Sequence, residues 1–334
     1  MLLLGLEFGG VVHPWGSATV ICLIVFGIVV AAAFFVVERN FAKYPIMPLR
    51  LFKSPSNIAA FSVCFCHGYV FIAGIYYLPL YFQSVLGATP LMSGVYLLPF
   101  AVSLSLVSAA SGVYIKKTGK YLPPIYFGLI VMTLGFGLLI DLPGDKVWAK
   151  IIIYEMIAGI GCGPNFQSPL IALQNGIAKR DIAAATATFG FVRNLSTAIS
   201  VVIGGVVFQN RMQLQSSSLV GSLGPEEAAA LSGGSAGTSV ELVNSLQDPQ
   251  RQIARDAYRS SLRVMWIMYV AFGALGILAS LFIKTSVLSK EHELTKTGLA
   301  EEEAKRVEEA ERRKAKAAGR KASAGKEKGV KEEA

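Results

Sequence analysis

The chain has 334 residues, 53% hydrophobic and 16% charged, with a formal net charge of +9 and a mean hydropathy of +0.52. That balance excludes an ordinary soluble domain and predicts an all-α, polytopic membrane helix bundle. Apolar runs of roughly 17 to 25 residues suffice to cross a hydrocarbon core of about 30 Å. Seven are read here, at 18–37, 58–79, 91–115, 124–140, 148–170, 184–208 and 264–283.

In chain order, the N-terminal "MLLLGLEFGG" is apolar from its second residue and has neither a basic leader nor a small-residue cleavage site. It reads as a helix cut short, with the expectation of further helices upstream, rather than as a signal peptide. Basic residues then cluster in alternate loops: Arg39, Lys43, Arg50 and Lys53, next Lys116, Lys117 and Lys120, then Lys179 and Arg180, and finally the tail. The intervening short loops "GGVVHPWGS" and "YFQSVLGATPLMS" hold no Lys or Arg, while the loop at 141–150 mixes two lysines with two aspartates. The positive-inside rule predicts basic loops and a C-terminus in the cytosol, with the 9–17 loop outside.

The first span after that loop is followed by "FCHGYVFIAGIYYLPLYF", where His67 is a candidate proton carrier or a hydrogen-bonded packing residue. Tyr76, Tyr77, Tyr81 and Phe82 read as an outer aromatic belt. Cys22, Cys64, Cys66 and Cys162 fall inside apolar runs, without the paired spacing of a disulfide framework, a redox motif or a zinc site.

The fifth run carries a carboxylate, Glu155, which costs about 2.5–3.5 kcal/mol or more at membrane depth unless protonated, paired or wetted. It is either a proton-binding or substrate-facing group, or a shallow residue hydrogen-bonded near the outer interface. Gly159 and Gly163, four apart, permit close approach of a neighbouring helix. Beyond them, "GIGCGPNFQSPLIALQNG" combines Pro164 and Pro169 with Asn165, Gln167, Gln174 and Asn175. Proline supplies no backbone donor, so this half of the span loosens. The amides either meet the freed carbonyls or line a wet passage.

The sixth run places Arg193 near its centre on a small, polar stripe with Thr186, Gly190, Thr197, Ser200 and Gly204, away from Phe191 and Val202. Three roles are open: holding an anionic substrate group, pairing with a carboxylate, or clamping helix carbonyls. Asn194-Leu195-Ser196 matches a glycosylation sequon at a depth that opposes modification. The connection at 209–263 is read as a long external loop, Ser/Gly/Ala-rich in its middle, with a short interfacial helix carrying Arg251, Arg255 and Arg259 before the last span. After Ile283, fourteen basic and eleven acidic residues alternate, which predicts a charged, largely disordered tail rather than a nucleic-acid-binding one.

The loop "SGVYIKKTGKY" sets glycine at a helix end, then lysines and a Thr-Gly-Lys turn. It resembles the gating loop repeated in each half of major facilitator superfamily transporters. With "PIMPLRLFKSPS", "YYLPLYFQSVLGATPLMSGVYLLP", "YEMIAGIGCGPNFQSPLIALQ" and "ATATFGFVRNLSTAISVVIGGVVFQN", the chain is similar to the C-terminal half of a fungal fourteen-helix drug:proton antiporter. The resemblance implies proton-driven efflux of small organic compounds such as drugs, toxins or secondary metabolites by alternating access, without a cofactor.

It implies a gating loop of Gly112, Lys116, Lys117, Gly119 and Lys120. Substrate or proton-pathway candidates are Glu155, Arg193, Asn165, Gln167, Gln174 and His67. Three segments follow: a truncated helix plus linker helix at 1–56, a six-helix bundle at 57–284 and the tail at 285–334. Implied partners are the substrate, protons, the bilayer and a missing N-terminal bundle. The expected location is the plasma membrane, with the vacuolar membrane as alternative. A non-transporting half-bundle and a seven-helix receptor are the other readings; the receptor lacks its Asn-Pro-x-x-Tyr signature in "VMWIMYVAFGALGILASLFI". No enzyme is expected, since His13, His67 and His292 sit in unrelated segments with no nucleophile–base spacing.

Overall fold

The computed structural model describes residues 1–9, 13–40, 47–237 and 239–286. Lys43 and the charged tail from residue 287 onward lie outside the described residues. Thirteen α-helices are described: α1 (Leu2–Phe8), α2 (Ala18–Asn40), α3 (Pro55–Ser84), α4 (Pro90–Tyr96), α5 (Leu98–Thr118), α6 (Leu122–Leu138), α7 (Trp148–Cys162), α8 (Ser168–Asn175), α9 (Ile182–Leu214), α10 (Ser216–Leu223), α11 (Pro225–Ala230), α12 (Val240–Ser245) and α13 (Gln250–Ser280). No strand forms among these residues.

Six segments are long and apolar enough to cross a membrane: Ala18–Glu38, Pro55–Ser84, Pro90–Thr118, Leu122–Asp141, Lys179–Leu214 and Gln250–Ser280. The expected seventh, at 148–170, is not one helix. It breaks into α7, a 3-10 turn over Gly163–Phe166, and α8, because Pro164 and Pro169 each withdraw a backbone donor.

Three other prolines sit where they cost little, whereas Pro79 lies inside α3 and removes a backbone donor there. Pro55, Pro90 and Pro123 occupy the first turns of α3, α4 and α6, whose N–H groups have no helical acceptor.

The core lies around α3, which packs against both α9 and α13. On the other side α6 joins α7 to α13, and α5 lies along α7. Glycines set these distances. A Cβ on Gly135 would strike Ala158, and one on Gly161 would strike the backbone of Val131 and Met132. α2 stands at the periphery, buried over only 6% of its apolar window.

The basic end is tied across the sequence. Arg50 pairs with the buried Asp181, Tyr121 donates its hydroxyl to the Lys284 carbonyl (2.7 Å), and the Lys284 N–H donates to Ser56 Oγ (3.0 Å). α5 stops here at Gly119, whose φ of 71° is left-handed. A side chain there costs about 1–2 kcal/mol, so Gly119→Ala should lower the apparent melting temperature of the detergent-extracted protein. Gly112→Ala, at a position with open space for a Cβ, should not; equal melting of the two would remove the strain argument.

At the opposite end the structure departs from the expected loop. α9 runs on to Leu214, and no separate interfacial helix precedes the last span, because α13 is continuous from Gln250. Between them the α10–α12 segment buries Leu219, Leu223, Ala228, Leu231 and Val243 as a continuation of the main hydrophobic core. The Tyr258 hydroxyl donates to the Ala236 carbonyl, and Asn244 Nδ2 donates to the Gln83 carbonyl (3.3 Å) at the end of α3. Of the predicted aromatic belt only Tyr76 is exposed; Tyr77, Tyr81 and Phe82 are core residues. The Tyr77 and Tyr81 hydroxyls donate to the Val201 and Pro143 carbonyls (2.6 Å each).

Candidate functional site: a broken helix held by His67 and Arg193

An α-helical carbonyl needs the N–H four residues later. For Asn165 that donor belongs to Pro169 and does not exist. Arg193, from α9, supplies a substitute: its Nη2 donates to the Phe166 carbonyl at 2.9 Å and reaches the Asn165 carbonyl at 3.5 Å. Ser168 Oγ donates to the Pro164 carbonyl at 2.7 Å. From α3, His67 Nε2 lies 2.9 Å from the Cys162 carbonyl oxygen. A carbonyl only accepts, so Nε2 carries a proton, and Nδ1 has no partner.

Aromatic rings close this side. Phe166 meets His67 edge-on at 4.9 Å and Phe71 at 4.8 Å, and the Arg193 guanidinium lies over the rings of Phe166 (5.1 Å) and Phe189 (5.0 Å). Each such cation–π contact contributes about 0.5–2 kcal/mol. Of the three roles open to Arg193, the carbonyl clamp is the one this geometry displays. Among the described residues no carboxylate pairs with it.

Glu155 sits about two turns earlier on α7 and is completely buried. Neither carboxyl oxygen has a partner. Its helix is pressed onto α5, where Gly159 meets the Phe100 carbonyl and Ser103, and Gly163 meets Leu104 and Ser108. That contact is the close approach expected of the Gly159/Gly163 pair.

The remaining candidates separate. Asn165 is buried against Gly128 of α6 with both amide atoms unpartnered. Gln167 is exposed, and Gln174 donates to Thr186 Oγ1 at 3.0 Å, bridging α8 to α9. The polar stripe of α9 splits likewise: Ser200 and Gly204 are buried, whereas Thr186 and Gly190 are exposed. Lys116, Lys117 and Lys120 are exposed around buried Gly119 at the far end of α5, apart from this cluster in the sequence. Phe166, Phe71 and Phe189 were not singled out as site residues in the sequence; a phenylalanine in an apolar run carries no signal that separates stacking on a cation from ordinary packing.

The pattern for the major facilitator superfamily matches residues 2–201, more than half of the chain. The chain belongs to the major facilitator superfamily. Over 308 residues it is 51% identical to the MFS-type transporter ppz2 of Metarhizium majus, covering 92% of this chain and 53% of that protein. Over 299 residues it is 52% identical to the efflux pump dotC of Dothistroma septosporum, covering 90% of this chain and 51% of the pump. The chain thus spans about half the length of the curated relatives it matches.

Among solved structures it resembles a bacterial homologue of the human lysosomal transporter Spinster, in an inward-facing, unoccupied conformation. The TM-score is 0.53 at 14% identity, over 86% of this chain and 64% of that one. This facilitator chain is therefore an integral, multi-pass membrane protein, neither an enzyme nor a seven-helix receptor.

Proposed function

We propose that this chain forms one helical bundle of a proton-coupled efflux transporter for small organic compounds, working with a second bundle by alternating access. Membership of the superfamily and the efflux-pump relative support transport. The observation that carries the proton is Glu155, a carboxyl buried inside the bundle with neither oxygen bonded. Such a site accommodates the neutral acid and rejects the anion unless water or a cation enters. Emptying and refilling it from opposite sides couples proton entry to substrate exit.

The broken segment supplies the moving part. A helix already interrupted at Gly163–Phe166 and held by side chains of α3 and α9 can tilt without breaking a continuous ladder of bonds. In this reading the basic loops and tail face the cytosol, the membrane is the plasma membrane, and the lysine loop after α5 controls the inward gate.

The direct test is efflux of a fluorescent amphipathic dye from cells expressing the full-length protein. Wild type should lower dye accumulation, and a protonophore should abolish that effect within minutes. Efflux that survives the protonophore removes proton coupling. Arg193→Ala should insert normally yet reduce efflux several-fold, as it uncovers the Phe166 carbonyl; unchanged efflux would return Arg193 to plain packing.

A further inference from the structure

We propose that Arg193 is also a binding residue that selects substrates bearing an acidic group on a planar aromatic body. This deepens the efflux reading above and rests on it.

A guanidinium offers five N–H donors. The two carbonyl contacts engage Nη2 alone, while Nε is without an acceptor. Carbonyl dipoles and ring faces stabilise a cation, but they do not neutralise it. The residue as a whole is half-buried, with Nε itself inside.

Its neighbourhood is mixed, with exposed Phe191 and Leu195 on α9 beside a polar run. Gln167 beside Phe166 is exposed, and so are Thr186, Gly190 and Asn194 on α9, with open space where a Gly190 Cβ would stand. A membrane surface meeting only acyl chains carries no such run of amides, hydroxyls and bare backbone. A wet or ligand-bearing face does.

The rings of Phe166 and Phe189 flank the guanidinium at about ring-stacking distance. A flat aromatic ligand can lie against the half-exposed Phe166 while its carboxylate, phenolate or sulfonate meets the guanidinium in a charge-assisted pair. A cationic ligand in the same place would meet like charge, and among the described residues no acidic side chain pairs with Arg193 to offset it. The geometry therefore favours anions over neutral isosteres and both over cations.

Equilibrium binding to the full-length protein in detergent tests this without any gradient, so failed proton coupling and failed anion selection remain distinguishable. The probes are 2-naphthoate and its neutral isostere 2-naphthamide, each corrected for partition into protein-free micelles. Wild type should hold naphthoate at least tenfold more tightly than naphthamide. Arg193→Gln, which retains an amide N–H for the Phe166 carbonyl but drops the charge, should bring that ratio close to one by weakening naphthoate alone. Arg193→Lys should keep a reduced preference.

Absent naphthoate binding in wild type, a wild-type ratio near one, a ratio untouched by Arg193→Gln, or equal weakening of both probes would each overturn the proposal. The last outcome is the signature of a purely structural clamp. The wild-type ratio needs no variant, and Arg193→Lys covers the case in which Arg193→Gln does not fold.

Discussion

Gly161→Leu should eliminate folded, membrane-extractable protein, and Gly161→Ala should destabilise it by about 1–3 kcal/mol, the usual range for forcing extra methylenes into a packed interior. A Cβ at this position meets the main chain of α6 at Val131 and Met132, not the end of a flexible side chain. Rotamer changes cannot relieve that collision; α6 and α7 must separate. The separation would propagate, because Gly135 meets Ala158 at the same crossing. The check is the apparent melting temperature and the monodisperse yield after extraction. Gly190→Ala, with nothing within reach of its Cβ, serves as the matched helix-glycine control and should behave as wild type. Equal loss in both variants would mean that helix propensity rather than helix contact is being read.

Glu155→Gln should abolish gradient-driven efflux, at least tenfold down, while leaving insertion and passive substrate exchange intact. Glutamine matches the volume and neutrality of the protonated acid but cannot release a proton. In a site where neither carboxyl oxygen has a protein partner, it should pack without penalty. Melting should therefore be unchanged or slightly raised, since an ionisable group leaves the interior. Exchange of labelled for unlabelled substrate across vesicles, with no pH difference, should proceed at close to the wild-type rate. Loss of exchange together with uphill efflux would assign Glu155 to substrate binding or folding, and full retention of uphill efflux would remove it from the mechanism.

Much of the fold was legible because the bilayer imposes length and the loops carry charge. The runs at 58–79 and 91–115 fall within α3 and the α4–α5 segment, and 124–140 falls on α6 and the 3-10 turn Leu139–Asp141 that continues it. The loosening at Pro164 and Pro169 was legible too, since proline's missing donor is a local property, but not that it divides the run into two helices. Nor was the source of the replacement donor. Which carbonyl lies open follows from Pro169, but that Arg193 reaches it depends on how α9 crosses α8, a tertiary fact.

The same limit explains Tyr77 and Tyr81, read as belt residues and found in the core: a tyrosine near a span end satisfies its hydroxyl on lipid headgroups or on a neighbouring carbonyl, and the one-dimensional pattern is identical. The extension of α9 to Leu214 and the early start of α13 escaped for another reason. Residues such as Gln213, Arg251 and Gln252 are good helix formers in water, so hydropathy marks the membrane boundary and not the helix end. Among the site residues, the exposed Gln167 and the bridged Gln174 show that an amide inside an apolar run signals a polar neighbour without naming it.

The most direct test of the account is substrate uptake into inverted vesicles carrying the full-length protein, with an inside-acid pH gradient imposed and then collapsed by nigericin. The account predicts accumulation that stops on collapse in wild type and never develops in Glu155→Gln, though both proteins exchange substrate at equilibrium. Accumulation indifferent to nigericin, or equal in wild type and Glu155→Gln, would contradict it.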